Sequence, residues 1–209
     1  MISKKGFNLL IDCSPDFIEQ AAREKIKKID AVILTHAHAD ASGGLKKLNK
    51  WTKDPVAVYM EKANFEKFKH LENLELKVMR LGQVEPIGPF LVWAYRVKHG
   101  LTPGFPTVGY LIDKKLGYIS DVGEISKKNI KYFKNLKLLF LDGALWFGRK
   151  MKGHLNVKQA MDIIDILKPK KAFLTQIGHG YPPHEQARQR IRTMNKRIEP
   201  AYDGMRLEI

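Results

Sequence analysis

Thr35-His36-Ala37-His38-Ala39-Asp40-Ala41-Ser42-Gly43-Gly44 is the stretch on which the reading of this chain turns. AVILT (31–35), at its start, has the short apolar and β-branched composition of a buried strand. GLKKLNKW (44–51), at its end, has leucines at helical spacing. The ten residues therefore form a loop held between two rigid elements. In extended backbone, residues i and i+2 project to the same side, so His36 and His38 can face one cation. Asp40 adds a hard oxygen ligand. The competing reading makes the two histidines incidental polar residues and Asp40 a helix cap. Three metal-capable side chains within five residues, in this setting, favour the metal.

Working outward, short apolar runs alternate with helical patterns. Strands are expected at FNLLID (7–12), VAVYM (56–60), 76–79, 90–97, LKLLFLD (136–142), KAFLT (171–175) and MRLEI (205–209). VGYLID and LGYIS (108–120), joined through Lys114 and Lys115, read as a hairpin. Helices are expected after Ser14 as N-cap with Pro15 at the first position, over EKANFEKFKHL (61–71), from Ser126, over NVKQAMDIIDIL (156–167) and over HEQARQRIRTMNKR (184–197). A Gly/Pro loop, GLTPGFP, occupies 100–106. Alternating strands and helices argue for a layered α/β fold, and the hairpin makes its sheets mixed.

The chain has 209 residues, enough for one sizeable core, and is read as a single domain, 1–209. No apolar run approaches the roughly 18 residues needed to span a bilayer; LKLLFLDGALWF is interrupted by Asp142 and Gly143. MISKKGFNLLID lacks the apolar core of a secretory signal. A single cysteine, Cys13, excludes an intrachain disulfide, and a cytoplasmic location with no membrane partner is expected. The formal net charge of +15 would attract phosphate esters or nucleic acid, although its lysines are scattered. In the densest basic stretch, Arg188, Arg192 and Lys196 recur at helical spacing around Ile191, as on a solvated helix face.

HxHxD after a strand, with glycines opening the next helix, resembles the signature of the metallo-β-lactamase superfamily. NLLIDCSPD resembles the strand and turn that precede it there. His99, in VKHG, corresponds to the family's third histidine, and Asp121, in GYISDVG, to the aspartate that bridges two metals. GHLN, with His154, is similar to the segment that carries a further active-site histidine in the branch containing cyclic-phosphate diesterases. FLTQIGH and AYDGM (201–205) resemble later segments of that branch. The resemblance implies a four-layered αββα sandwich of two mixed β-sheets flanked by helices, shortened at its N-terminus. It implies a metal-dependent hydrolase nearer the phosphodiesterases and transfer-RNA 3′-processing endonucleases than the antibiotic hydrolases.

Two departures from that pattern matter. Where the family has HxHxDH, Ala41 follows Asp40; where it has LTH, this chain has Gln176. Both missing histidines belong to the second metal position, while the first keeps His36, His38, His99 and Asp121. The expectation is one zinc per chain, with Fe2+ or Mn2+ as alternatives, held by those four residues. Asp40 would orient a water or act as base, and His154 would bind a phosphoryl oxygen or protonate the leaving group. His179 and His184, which follow Gln176, are candidates to restore the second position. The expected substrate is a small phosphoric diester or cyclic phosphate. Thioester or lactone hydrolysis on the same fold is one alternative; an impaired homologue that binds nucleotide or RNA is another. Strands missing before residue 7 would leave a sheet edge that a homodimer could cover.

Overall fold

The computed structural model describes residues 1–100 and 106–208. The chain divides into two compact units, Met1–Ala94 and Tyr95–Ile209. The expected loop at 100–106 falls largely outside the described residues.

The first unit is built on a five-stranded sheet. Its strands are β1 (Ile2–Lys4), β2 (Phe7–Ile11), β3 (Ala31–Ile33), β4 (Val56–Met60) and β5 (Leu74–Val78), in that spatial order. β1 pairs antiparallel with β2, and the other pairs are parallel, so the sheet is mixed. β1 was not anticipated: it lies along β2, the edge that was expected to be bare. It has only three residues, a length that limits further edge pairing. Two helices, α1 (Phe17–Arg23) and α3 (Leu45–Trp51), pack together, with the four-residue α2 (Ala39–Ser42) just before α3. Phe17, Ala21, Leu45 and Leu48 bury their side chains with Val32, Val58 and Met60 of the sheet and with Leu34 just past β3. Each such leucine contributes about 1.5–3 kcal/mol. β6 (Val84–Ile87) and the first half of β7 (Phe90–Val97) form an antiparallel hairpin.

The second unit contains β8 (Thr107–Ile112), β9 (Leu116–Ile119), β10 (Leu138–Asp142), β11 (Lys171–Thr175) and β12 (Ile198–Pro200). They belong to a seven-stranded sheet of order β12-β11-β10-β9-β8-β7-β6. β8 and β9 form the expected hairpin, turning through Asp113 and Lys114, both at φ near +50°. That pair of positive angles matches the right-handed twist of the flanking strands. β9, β10, β11 and β12 run parallel, which brings their C-terminal ends to one side. A short helix, α4 (Lys127–Ile130), starts at Ser126, whose hydroxyl accepts from Asn129 N. α5 (Val157–Leu167) opens on a capping box between Asn156 and Gln159 and buries Val157, Ala160, Met161, Ile164 and Leu167. α6 (His184–Met194) buries Ala187 and Ile191.

Several expectations are corrected. α1 starts at Phe17 after Asp16, because Ser14 and Pro15 lie in the turn that passes Gly43 and Gly44. Residues Lys62–Phe68 form a 3-10 helix, not an α-helix. MRLEI is not a strand over its described residues; β12 at Ile198–Pro200 takes the outer position on β11 instead. α6 ends at Met194, so Lys196 lies beyond it. Arg188 and Arg192 are not simply solvated: both bond to Glu199, which also pairs with Lys171.

Candidate metal centre

The first unit carries three of the expected ligands. Parallel pairing of β2 with β3 places Asp12, just past the end of β2, beside Thr35. Thr35 donates its backbone N–H to Asp12 Oδ1 at 2.7 Å, and its hydroxyl lies 2.9 Å from each carboxylate oxygen. A threonine hydroxyl has one proton. Spent on Asp12, it leaves the oxygen to accept from His36 Nδ1, 2.9 Å away. The Asp12–Thr35–His36 chain thus sets the proton on Nδ1 and the lone pair on Nε2, the tautomer a metal needs. His36 is fully buried, and its ring meets that of His38 edge-on at 4.7 Å. Asp40, in α2, is exposed, with Oδ1 3.9 Å from His36 Nε2.

The glycines after the motif have a steric reason. A Cβ on Gly44 would lie 2.0 Å from Ser14 O, and one on Gly43 2.5 Å from Ala39 O. Gly44 N donates to Cys13 O and Cys13 N to Ala41 O, so the motif is clamped to the turn after β2. Ala41 itself is buried and offers only that carbonyl. Burial, reinforced by Asp12, pushes the Cys13 thiol up to about 12, which keeps it protonated and unreactive.

The second unit brings three further groups together. The ligand atoms of His99, Asp121 and His154 all lie within 4.8 Å of one another. His99 Nδ1 donates to Gly153 O at 2.9 Å, which again leaves Nε2 with the lone pair, 4.0 Å from Asp121 Oδ1. Gly153 has φ +93°, and a Cβ there would lie 2.6 Å from Gly100 N, so only glycine permits this approach. Lys98 and Glu124 exchange backbone bonds, and Gly123 N donates to Lys98 O, which ties the His99 and Asp121 segments together. His99 and Asp121 are both buried.

Asp142, at the end of β10, was not singled out by the sequence and proves to be a principal support of the site. Its Oδ1 accepts from Ala144 N and Leu155 N; its Oδ2 accepts from Val122 N at 3.0 Å and His154 Nδ1 at 2.7 Å. Four acceptor contacts use a carboxylate's whole capacity. Burial pushes its pKa above the ordinary carboxylate range, against the pull of His154 and the backbone N–H groups. His154 is thereby fixed with Nδ1 on Asp142, its ring 4.8 Å from that of His99. A signal existed: an apolar strand closing on aspartate recurs in FNLLID, LGYISD and LLFLD.

Gln176 is hydrogen-bonded at this site. Its Nε2 donates to both oxygens of Asp121, at 3.0 and 3.1 Å. His179 is exposed, and His184 is exposed at the start of α6, edge-on to Tyr202. Among the described residues, neither belongs to a cluster of three metal-capable side chains. The donor set suits a divalent cation: neutral imidazoles with Nε2 lone pairs, and carboxylates, are the ligands that zinc takes. Among the described residues no helix is long and apolar enough to cross a membrane.

Comparison with known proteins agrees with this architecture. The family described as Beta-lactamase superfamily domain matches residues 7–177. An octanoyltransferase of Porphyromonas gingivalis is 30% identical over 98% of this chain, and the chain spans 43% of that protein's length. A crystal structure of a diphosphatase from the PhnP family is 28% identical, with a TM-score of 0.87 over 99% of this chain and 82% of its own. Zinc-bound PqqB from Methylobacterium extorquens, at 18% identity, shares the fold with a TM-score of 0.86 over all of this chain and 86% of its own. With two mixed sheets flanked by helices and clusters of histidine and aspartate at strand ends, the chain belongs to the β-lactamase superfamily and has the metallo-β-lactamase fold, whose members are generally hydrolases.

Proposed function

We propose that the chain is a metal-dependent hydrolase of phosphoric diesters or cyclic phosphates, with one zinc held by His36, His38, His99 and Asp121. The observation that carries this reading is the grouping of His99, Asp121 and His154, with His154 oriented by a fully committed Asp142. When bound, the cation supplies a Lewis acid that lowers the pKa of water toward neutrality. Asp40, exposed beside His36, accepts the water's proton or orients it. His154 presents Nε2 to the substrate. In its charged form it donates to a phosphoryl oxygen or to the departing alkoxide, and Asp142 stabilises that form. A diphosphatase is among the similar structures, which supports a phosphate-containing substrate here. The net charge of +15 favours anionic substrates.

A second reading has one specific support. The Porphyromonas gingivalis relative is named an octanoyltransferase, an acyl-transfer activity, so an acyl thioester is a candidate substrate. The experiment is a metal-content measurement followed by parallel assays on bis-para-nitrophenyl phosphate, a cyclic nucleotide and an octanoyl thioester. About one zinc per chain and turnover of the phosphates supports the proposal. Turnover of the thioester alone replaces it with the second reading. Protein that contains no transition metal and takes none up ends both.

A further inference from the structure

Gln176 follows β11 in the left-handed backbone region, at φ +59°. Left-handed backbone is uncommon for glutamine, which lacks the short local hydrogen bonds of asparagine or aspartate. Its side chain spans to Asp121 and places one nitrogen almost equidistant from both carboxylate oxygens. Because Asp121 accepts only, the amide must present its NH2 here and not its carbonyl. Asp121 is 3% exposed, so its end of this contact is buried, while Gln176 is half-buried.

A cation bridging from Asp121 on that side would need the lone pairs that the amide now holds. Both are electropositive, so one excludes the other. The other residue at issue, Ala41, offers no side-chain ligand and has its carbonyl bonded to Cys13 N. We infer that Gln176 is a positioning residue that takes the place of a second metal: its amide holds Asp121 in the orientation that serves one cation and excludes another. This rests on the one-metal reading above and extends it. The altered position is a refilled one, in which a neutral donor does the orienting that a second cation would otherwise do.

The test uses the full chain and zinc alone as probe. Gln176→Gly suits the left-handed backbone and removes the amide; Gln176→Asn also tolerates that backbone but is one methylene too short to reach both oxygens. Zinc is titrated into chelator-treated protein by calorimetry, with stoichiometry checked by elemental analysis and melting of the metal-free proteins followed in parallel. The expected result is one equivalent for the unaltered chain and a 10–100-fold weaker affinity in both variants, the range typical of lost ligand-orienting bonds. Metal-free melting temperatures should stay within about 3 °C, which separates a role toward the metal from general support of the fold. Equal zinc affinity in all three proteins overturns the inference and leaves the one-metal reading standing. Two tight equivalents in the unaltered chain overturn the inference and the one-metal count together. No binding by the unaltered chain overturns both the inference and the proposed function.

Discussion

At the scale of single residues, the chemistry lies in how each imidazole is held. His36, His99 and His154 each have Nδ1 engaged: by Thr35, by the Gly153 carbonyl and by Asp142. Three different partners therefore produce one tautomer. The sequence shows that histidines at 36, 38, 99 and 154 are available, because ligand type and spacing are visible in it. It does not show Thr35, Gly153 or Asp142 as their supports, since those contacts depend on strand register and loop approach. His154 is the residue whose role most needs separating from that of a ligand, as it lies within ligand distance of His99 and Asp121. His154→Ala is expected to leave the zinc content unchanged and to lower kcat on bis-para-nitrophenyl phosphate by about 10²–10⁴-fold, the range for a lost general acid. Asp142→Asn should show a similar loss in kcat, with about 1–3 kcal/mol of stability lost as well, because an amide cannot accept all four bonds. Metal analysis beside steady-state kinetics checks this; a fall in zinc content in His154→Ala would make His154 a ligand.

At the scale of elements, strands were more legible than helix ends. VAVYM and KAFLT match β4 and β11 residue for residue, since buried parallel strands are continuous apolar runs. β1 and β6 were missed because ISK and VEPI are short, partly exposed edge segments that carry no such run. The Ser14-Pro15 start failed for a tertiary reason. That turn is committed to the glycine pair of the metal motif, and α1 begins only once the chain has passed it. The glycine pair gives the corresponding test. A methyl at Gly44 would sit 2.0 Å from Ser14 O and 2.9 Å from Cys13 Sγ, and backbone cannot yield as a side-chain end can. Gly44→Ala is expected to cost about 3 kcal/mol, and more metal affinity than that local cost suggests, because the displaced segment carries His36, His38 and Asp40. Gly82→Ala is the control for a glycine substitution: its Cβ meets nothing within 4 Å, and its positive φ accounts for any loss. Urea denaturation of both variants, with and without zinc, measures the difference.

At the scale of the whole molecule, the order of motifs along the chain made the fold class legible, whereas substrate identity was not, because one scaffold hosts many hydrolytic reactions. What does distinguish the candidate substrates is charge. With 37 basic against 22 acidic residues, the chain sets up a positive field whose reach in solution is the Debye length, about 10 Å at 0.1 M salt and about 30 Å at 0.01 M. An anionic phosphodiester should be drawn in by that field and a neutral thioester should not. For the diester, kcat/KM is expected to fall roughly 10-fold or more as salt rises from low to several hundred millimolar, through KM more than kcat, since screening acts on encounter. A neutral octanoyl thioester should change little over the same range and serves as the internal reference. If both substrates respond alike, the basic surface is not guiding the substrate, and the charge argument for phosphate esters falls while the ligand chemistry of the site stands untouched.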